Sequence, residues 1–144
     1  MDLERIRRKR QKNVQEQALL RREGLRLTAE YYRNQPDKVP RVLLQHPQAQ
    51  GIDWSRAIVV DLHIEQYGGH GLSGLLLTQD CRFIEFDLDT NEDCSKLDAE
   101  GRNHWHDVTE QTSTSRHHRG TGVSDGAWAL EIQRQLNGEA SDDA

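Results

Sequence analysis

The alternation of apolar and polar residues is clearest just before the glycine-rich segment in the middle of the chain. Apolar side chains recur at every second position, at Ile58, Val60, Leu62 and Ile64. The residues between them are Val59, Asp61, His63 and Glu65. A period of two predicts a β-strand with one apolar face and one polar face.

Two further stretches of this kind follow the first strand. The glycine-rich segment 67–71 leads into an apolar stretch at 72–78, and a short turn at 79–81 leads into a third stretch at 82–89. Short connections of this kind join antiparallel neighbours. We therefore predict a three-stranded antiparallel meander, extended by a brief fourth strand at 105–109.

Two segments have the three-to-four spacing of an amphipathic helix. Residues 3–33 predict a long helix that ends before Pro36, because proline lacks an amide proton. Its predicted buried stripe is formed by Val14, Ala18, Arg21, Leu25, Ala29 and Tyr32, widened by Leu20, Leu27 and Tyr31. A second helix is predicted at about 125–136. Its Trp128, Ile132 and Leu136 are expected to pack on the sheet. The polar stretch 110–122 is predicted to be a loop.

These elements predict an α+β fold with an N-terminal helix, an antiparallel meander of three to four strands, and a C-terminal helix packed on one face. A length of 144 residues favours a single domain. The hydrophobic fraction of 34% and the mean hydropathy of −0.90 indicate a small core.

Charge divides the chain into unlike parts. Residues 1–41 carry twelve Lys or Arg and six Asp or Glu, a net charge of +6, whereas residues 42–144 carry seven and eighteen, a net charge of −11. This asymmetry predicts a basic helical arm at 1–41, an acidic α+β body at 42–138 and a disordered acidic tail at 139–144. The basic residues cluster at Arg5, Arg7, Arg8, Lys9, Arg10 and Lys12.

The sequence also predicts where the protein is found. No run approaches the roughly 18 consecutive apolar residues of a membrane span. The N-terminus is charged from residue 2, so we expect no secretory signal peptide and a cytoplasmic location. In that compartment Cys81 and Cys94 are expected to be reduced.

The polar faces of the predicted strands form a candidate binding surface. Glu85, Asp87 and Asp89 share one face of the third strand, and Asp61 and Glu65 share the polar face of the first. Carboxylates on the open side of a sheet stay ionised and attract basic protein surfaces. We expect these five residues, with Tyr67 beside them, to bind a protein partner that has a basic surface. No catalytic residue and no cofactor are expected.

Two alternative functions remain open. The histidine cluster His104, His106, His117 and His118 supports a metal-dependent hydrolase, because imidazole nitrogens commonly hold zinc. The basic arm supports a nucleic-acid-associated protein, since Lys and Arg bind phosphates. No aromatic residue lies between Arg5 and Lys12 for base stacking, and the body is acidic, so nucleic acid is the weaker alternative.

The segment from Gly74 to Asp89 resembles the central hairpin of small bacterial immunity proteins, which neutralise polymorphic or contact-dependent toxins. The shared pattern is an apolar strand, a polar turn and then Phe-x-Glu-Phe, here Phe83 to Phe86. The resemblance implies a non-enzymatic inhibitor that blocks a toxin by steric and electrostatic contact. The partner would then be a toxin. Apart from this resemblance, the sequence leaves open whether the chain is a monomer or a homodimer.

Overall fold

The computed structural model describes residues 2–64, 71–89, 104–114 and 125–139. The helices are α1 (Leu3–Asn34), α2 (Arg41–Leu44), α3 (Thr109–Thr114) and α4 (Asp125–Leu136). The strands are β1 (Ile58–Ile64), β2 (Gly71–Leu77), β3 (Phe83–Asp89) and β4 (His104–Asp107). Two short 3-10 turns, Pro36–Lys38 and Pro47–Ala49, lie between α1 and β1. The α+β fold predicted from the sequence is confirmed.

The ends of the two long helices follow from the residues that flank them. Asp2 caps α1 through its Oδ1 atom, which accepts a hydrogen bond from the Arg5 amide at 3.1 Å. The helix ends at Asn34, before Pro36, as predicted, and a 3-10 turn follows. After α4 the chain turns at Gly138, whose φ of +71° is a left-handed conformation that glycine adopts without strain.

The four strands form one antiparallel sheet in the order β1-β2-β3-β4. The β1–β2 pairing has a bulge, because Val59 faces Leu76 while Asp61 faces Leu75. Val60 is the extra residue, so it and Asp61 lie on the same face of the sheet. The strict alternation predicted for β1 is therefore wrong: Ile58 and Val60 lie on one face, and Leu62 lies on the other.

Both faces of the sheet are covered, at least in part. On one face, which we call the helix face, Ile58, Val60, Leu77 and Phe83 pack against α1 and α4. The α4 contacts come from Trp128, Ile132 and the half-buried Leu136, as the sequence predicts.

The opposite face of the sheet is covered by the connection between α1 and β1. Val39 and Leu43 of this connection are buried in one cluster with apolar side chains of β1, β2 and β3. Trp54 and Ile52 are half-buried against the same cluster. His46 is fully buried and stacks on Trp105 of β4, with ring centroids 4.9 Å apart and planes 6° from parallel. The proline-containing connection is thus part of the core.

The stretch 110–122 was predicted to be a loop, but its first residues belong to the helix α3. The prediction is wrong for these residues. Asp107 precedes this helix, and its Oδ1 atom accepts a hydrogen bond from the Thr109 amide at 2.9 Å. Arg82 donates to the other carboxylate oxygen at 2.6 Å. The hydrogen bonds from Thr109 and then from Arg82 lower the pKa of Asp107 to about 2.

The buried stripe of α1 is narrower than the sequence suggests. Ala18, Leu25 and Ala29 are buried against the body, but Leu20, Leu27 and Tyr31 are exposed. The prediction that these last three residues widen the buried stripe is wrong. Of the predicted tail 139–144, Glu139 is described and lies 3.7 Å from the Arg56 guanidinium, and residues 140–144 lie outside the described residues. Within the described ranges, no helix has both the length and the apolar character required to cross a membrane.

Candidate functional site

The polar half of the helix face contains five of the ten candidate site residues that the sequence singles out. Strand pairing places Glu85 opposite Leu75 and His106, and Asp87 opposite Ser73 and His104. Asp61 reaches the same face because of the bulge at Val60. We call Asp61, Glu85 and Asp87 the acidic face.

The acidic face adjoins a cleft of about 590 Å³ between the sheet, α1 and α3. Asp61, Glu85 and Ser73 line its floor. The walls are formed by Arg21, Gly24, Thr28, Gln111 and Thr112. Sequence analysis missed these wall residues, because nothing in a helical pattern says which sheet residues a helix will lie beside.

Arg21 is the basic residue of this cleft. Its guanidinium donates hydrogen bonds to Asp125 at 2.9, 3.1 and 3.3 Å. The hydrogen bonds from Arg21 to Asp125 and the negative charges of Asp125 and Asp61 raise the pKa of Arg21. The positive charge of Arg21 is therefore already paired with Asp125, at the end of the cleft where Asp61 lies.

The carboxylates of β3 differ from Asp61 in their surroundings. Glu85 and Asp87 are exposed, and among the described residues neither makes an ion pair. Asp61 is 56% exposed, and its Oδ2 atom lies 2.9 Å from Nε2 of His63. Within the acidic face, Glu85 and Asp87 are thus the carboxylates that lack an ion pair among the described residues.

Three predicted partner-binding residues are only partly described or not described. Asp89 is the last residue of β3 and pairs with Gly71. The structure describes its backbone but not its side chain. Glu65 and Tyr67 lie outside the described residues.

The basic cluster at the start of α1 does not neutralise the acidic face. Every residue from Arg5 to Lys12 is exposed. In the described part of the chain, Arg8 is the one member of the cluster with an ion pair, and its partner is Glu4 of the same helix at 3.5 Å.

The histidine cluster is brought together in part. Nδ1 of His104 lies 3.0 Å from Nε2 of His106, and both rings are exposed. His117 and His118 lie outside the described residues. Within the described ranges, no group of three or more His, Cys, Asp or Glu side chains could hold a metal ion.

Trp54 and Trp105 are half-buried against the face of the sheet opposite the cleft. Cys81 is a free, exposed thiol in the β2–β3 turn, where the sequence predicts a turn.

Comparison with known proteins supplies no relative for this chain. No protein-family model matches it, and neither does any curated protein or solved structure. The functional argument therefore rests on the geometry of the acidic face and its cleft.

Proposed function

We propose that this chain is a non-enzymatic binding protein whose acidic face binds a basic surface of a partner protein. The observation that carries the proposal is that Glu85 and Asp87 are exposed and make no ion pair among the described residues. Two adjacent carboxylates on a rigid strand attract a basic partner over long range, and their field speeds the first encounter.

We further propose that the partner is a bacterial toxin and that the chain acts as an immunity-type inhibitor. The segment that resembles immunity proteins forms the β2–β3 hairpin, and Glu85 and Asp87 lie on its second strand. An inhibitor of this kind needs no catalytic group: it occupies the toxin's basic substrate-binding surface. The cleft beside the acidic face offers room for a side chain of the partner.

Charge reversal at the acidic face tests this proposal. The partner to examine is a toxin encoded beside the gene for this chain, with affinity measured by calorimetry. We expect Glu85→Lys to weaken binding by about tenfold or more at low salt, because a favourable charge contact becomes a repulsive one. Raising the salt concentration should weaken binding of the unaltered chain more than binding of the variant.

Asp37→Lys is the matched control, since it makes the same change of charge at an exposed residue of the 3-10 turn after α1. It should leave the affinity within about threefold. Binding that Glu85→Lys leaves unchanged, or a neighbouring toxin that the chain neither binds nor inhibits, would contradict the proposal.

A metal-dependent hydrolase is the second candidate, favoured by the proximity of the His104 and His106 rings on the same face as Glu85 and Asp87. Dialysis of chelator-free protein against Zn²⁺ distinguishes it from a binding protein. One zinc per chain that His106→Ala removes and His63→Ala retains would favour the hydrolase. No bound zinc would exclude it.

A further inference from the structure

The outer side of α1 carries most of the exposed large apolar side chains of the molecule. Of the seven such residues among the described ranges, five lie on a single line of alternating three- and four-residue steps along this helix. The line is Leu3, Ile6, Arg10, Asn13, Gln17, Leu20, Gly24, Leu27 and Tyr31. We call these nine residues the outer seam, and every one of them is exposed.

Alternating steps of three and four residues are the spacing of a coiled-coil contact surface, and five of the nine positions of the outer seam are apolar. Steps of three and four keep successive side chains on one side of a helix over several turns. The outer seam extends over about four heptads, which meets the length that a coiled coil needs. Leu20, Leu27 and Tyr31 lie on the side of α1 opposite Ala18, Leu25 and Ala29, so the body leaves this side of the helix open.

The first half of α1 also lacks support from its own chain. Val14 is half-buried, and the other residues from Leu3 to Gln17 are exposed. An isolated helix shorter than about 12–15 residues is marginal in water. A second helix packed along the outer seam would supply the missing contacts.

We infer that the outer seam binds the same seam of a second copy of this chain, in antiparallel orientation. The pattern of the seam favours a second copy, because its apolar residues lie at the two ends and its polar residues in the middle. Antiparallel pairing places Leu3 and Ile6 of one copy level with Leu27 and Tyr31 of the other. The apolar ends of the seam thus cover one another.

Charge selects this orientation over the parallel one. Parallel pairing would bring two copies of the basic cluster together and would set Arg10 against Arg10 within the seam. Antiparallel pairing separates the two clusters and places Arg10 near Gly24 of the other copy. A Cβ atom added at Gly24, which also borders the cleft, would meet no atom within 4 Å, so the surface of α1 is open at this point.

Sedimentation equilibrium of the full chain tests whether the pair forms. At about 100 µM we expect twice the 16.6 kDa mass of one chain. Leu20→Lys should raise the dissociation constant about 100-fold or more, because it removes a buried leucine from both copies and adds two charges. Leu19→Lys is the matched control, since Leu19 is 62% exposed but lies off the seam. It should change the dissociation constant by less than about threefold.

Cross-linking with a short bismaleimide tests the orientation, in a background where Cys81 and Cys94 are replaced by serine. Neither Ile6→Cys nor Leu27→Cys should cross-link with itself, but a mixture of the two variants should give cross-linked dimers. A monomer at about 100 µM would overturn the inference. So would a dimer that Leu19→Lys weakens as much as Leu20→Lys, or self-cross-linking of Ile6→Cys. None of these outcomes bears on partner binding at the acidic face, so the two proposals fail independently.

Discussion

His46 is a buried histidine whose protonation the surrounding core opposes. Its Nδ1 atom accepts a hydrogen bond from the Gln48 amide at 3.1 Å, and its Nε2 atom is buried without a hydrogen-bond partner. Burial lowers the pKa of His46, because a charged imidazolium would lose its hydration there. Burial therefore favours the neutral form of His46 in the folded protein.

This depressed pKa makes stability depend on pH in a defined direction. Below the ordinary histidine pKa of about 6.5, the unfolded chain binds a proton at His46 that the folded chain does not. The free energy of unfolding should therefore fall as pH decreases from 7.5 to 5.5, with a slope from this residue of up to about 1.4 kcal/mol per pH unit. Urea denaturation at several pH values measures it.

His46→Asn removes the titration and keeps an acceptor for the Gln48 amide, so the variant should lose most of the slope. His63→Asn, at an exposed histidine, serves as the control and should keep it. Asp107 does not confuse the result, since its pKa of about 2 confines the loss of its stabilising contribution to pH values below about 4. Equal slopes in the two variants would refute the assignment to His46.

At the level of whole elements, Gly74 determines how closely β1 approaches β2. A Cβ atom added there would lie 2.2 Å from the carbonyl oxygen of Asp61 and 2.9 Å from Cζ of Phe86. Neither the bulged backbone of β1 nor the buried Phe86 ring can move freely. Glycine is therefore required where the bulge turns Asp61 toward the cleft.

Gly74→Ala should lower the free energy of unfolding by about 2–3 kcal/mol, because the added methyl group forces β1 away from β2. Gly51→Ala is the comparison, since a Cβ atom at Gly51 meets nothing within 4 Å. It should change stability by less than about 0.5 kcal/mol. Thermal or urea unfolding measures both, and a tolerated Gly74→Ala would show that the sheet yields here.

Sequence analysis predicted best the elements whose ends and buried faces are determined by residues close together in the chain. The end of α1 at Pro36, the β2–β3 hairpin and the buried stripe of α4 depend on residues next to one another in the chain. The bulge in β1 could not be predicted, because Val59 and Val60 are both apolar and either could face either side. The helix α3 has no apolar periodicity, and its start depends on Asp107, which also binds Arg82 across the sheet.

The candidate site was predicted only as separate strand faces. Alternation correctly groups Glu85 with Asp87, but the position of Asp61 beside them depends on the bulge. The cleft itself depends on which face of α1 packs on the sheet. Apolar residues occur on two sides of α1, and only contacts distant in sequence determine that Ala18 and Leu25 are buried while Leu20 and Leu27 are not.

On the scale of the whole molecule, the predicted basic arm 1–41 does not behave as one unit, because Ala18, Leu25 and Ala29 are buried in the core while the basic cluster is exposed. The exposed first half of α1 contributes little to the core, which begins at Ala18. Deletion of Asp2–Asn13 from the Leu20→Lys chain, used to exclude dimers, should change the free energy of unfolding by less than about 1 kcal/mol. Urea denaturation followed by circular dichroism measures the change.

A longer deletion provides the contrast to that result. Removing residues 2–25 also removes Ala18 and Leu25 from the core, and the shortened chain should fail to fold cooperatively. A large loss of stability from the shorter deletion alone would mean that residues 2–13 contact the body.

The near-parallel stack of His46 on Trp105 gives the protein an internal optical reporter. A protonated imidazole in contact with an indole quenches its fluorescence, whereas a neutral one has much less effect. Because the stack joins the connection after α1 to the edge strand β4, brightness and emission wavelength of Trp105 would report whether that edge stays docked. Replacing Trp54 and Trp128 with phenylalanine would leave this single emitter and allow the opening of the sheet edge to be timed in solution.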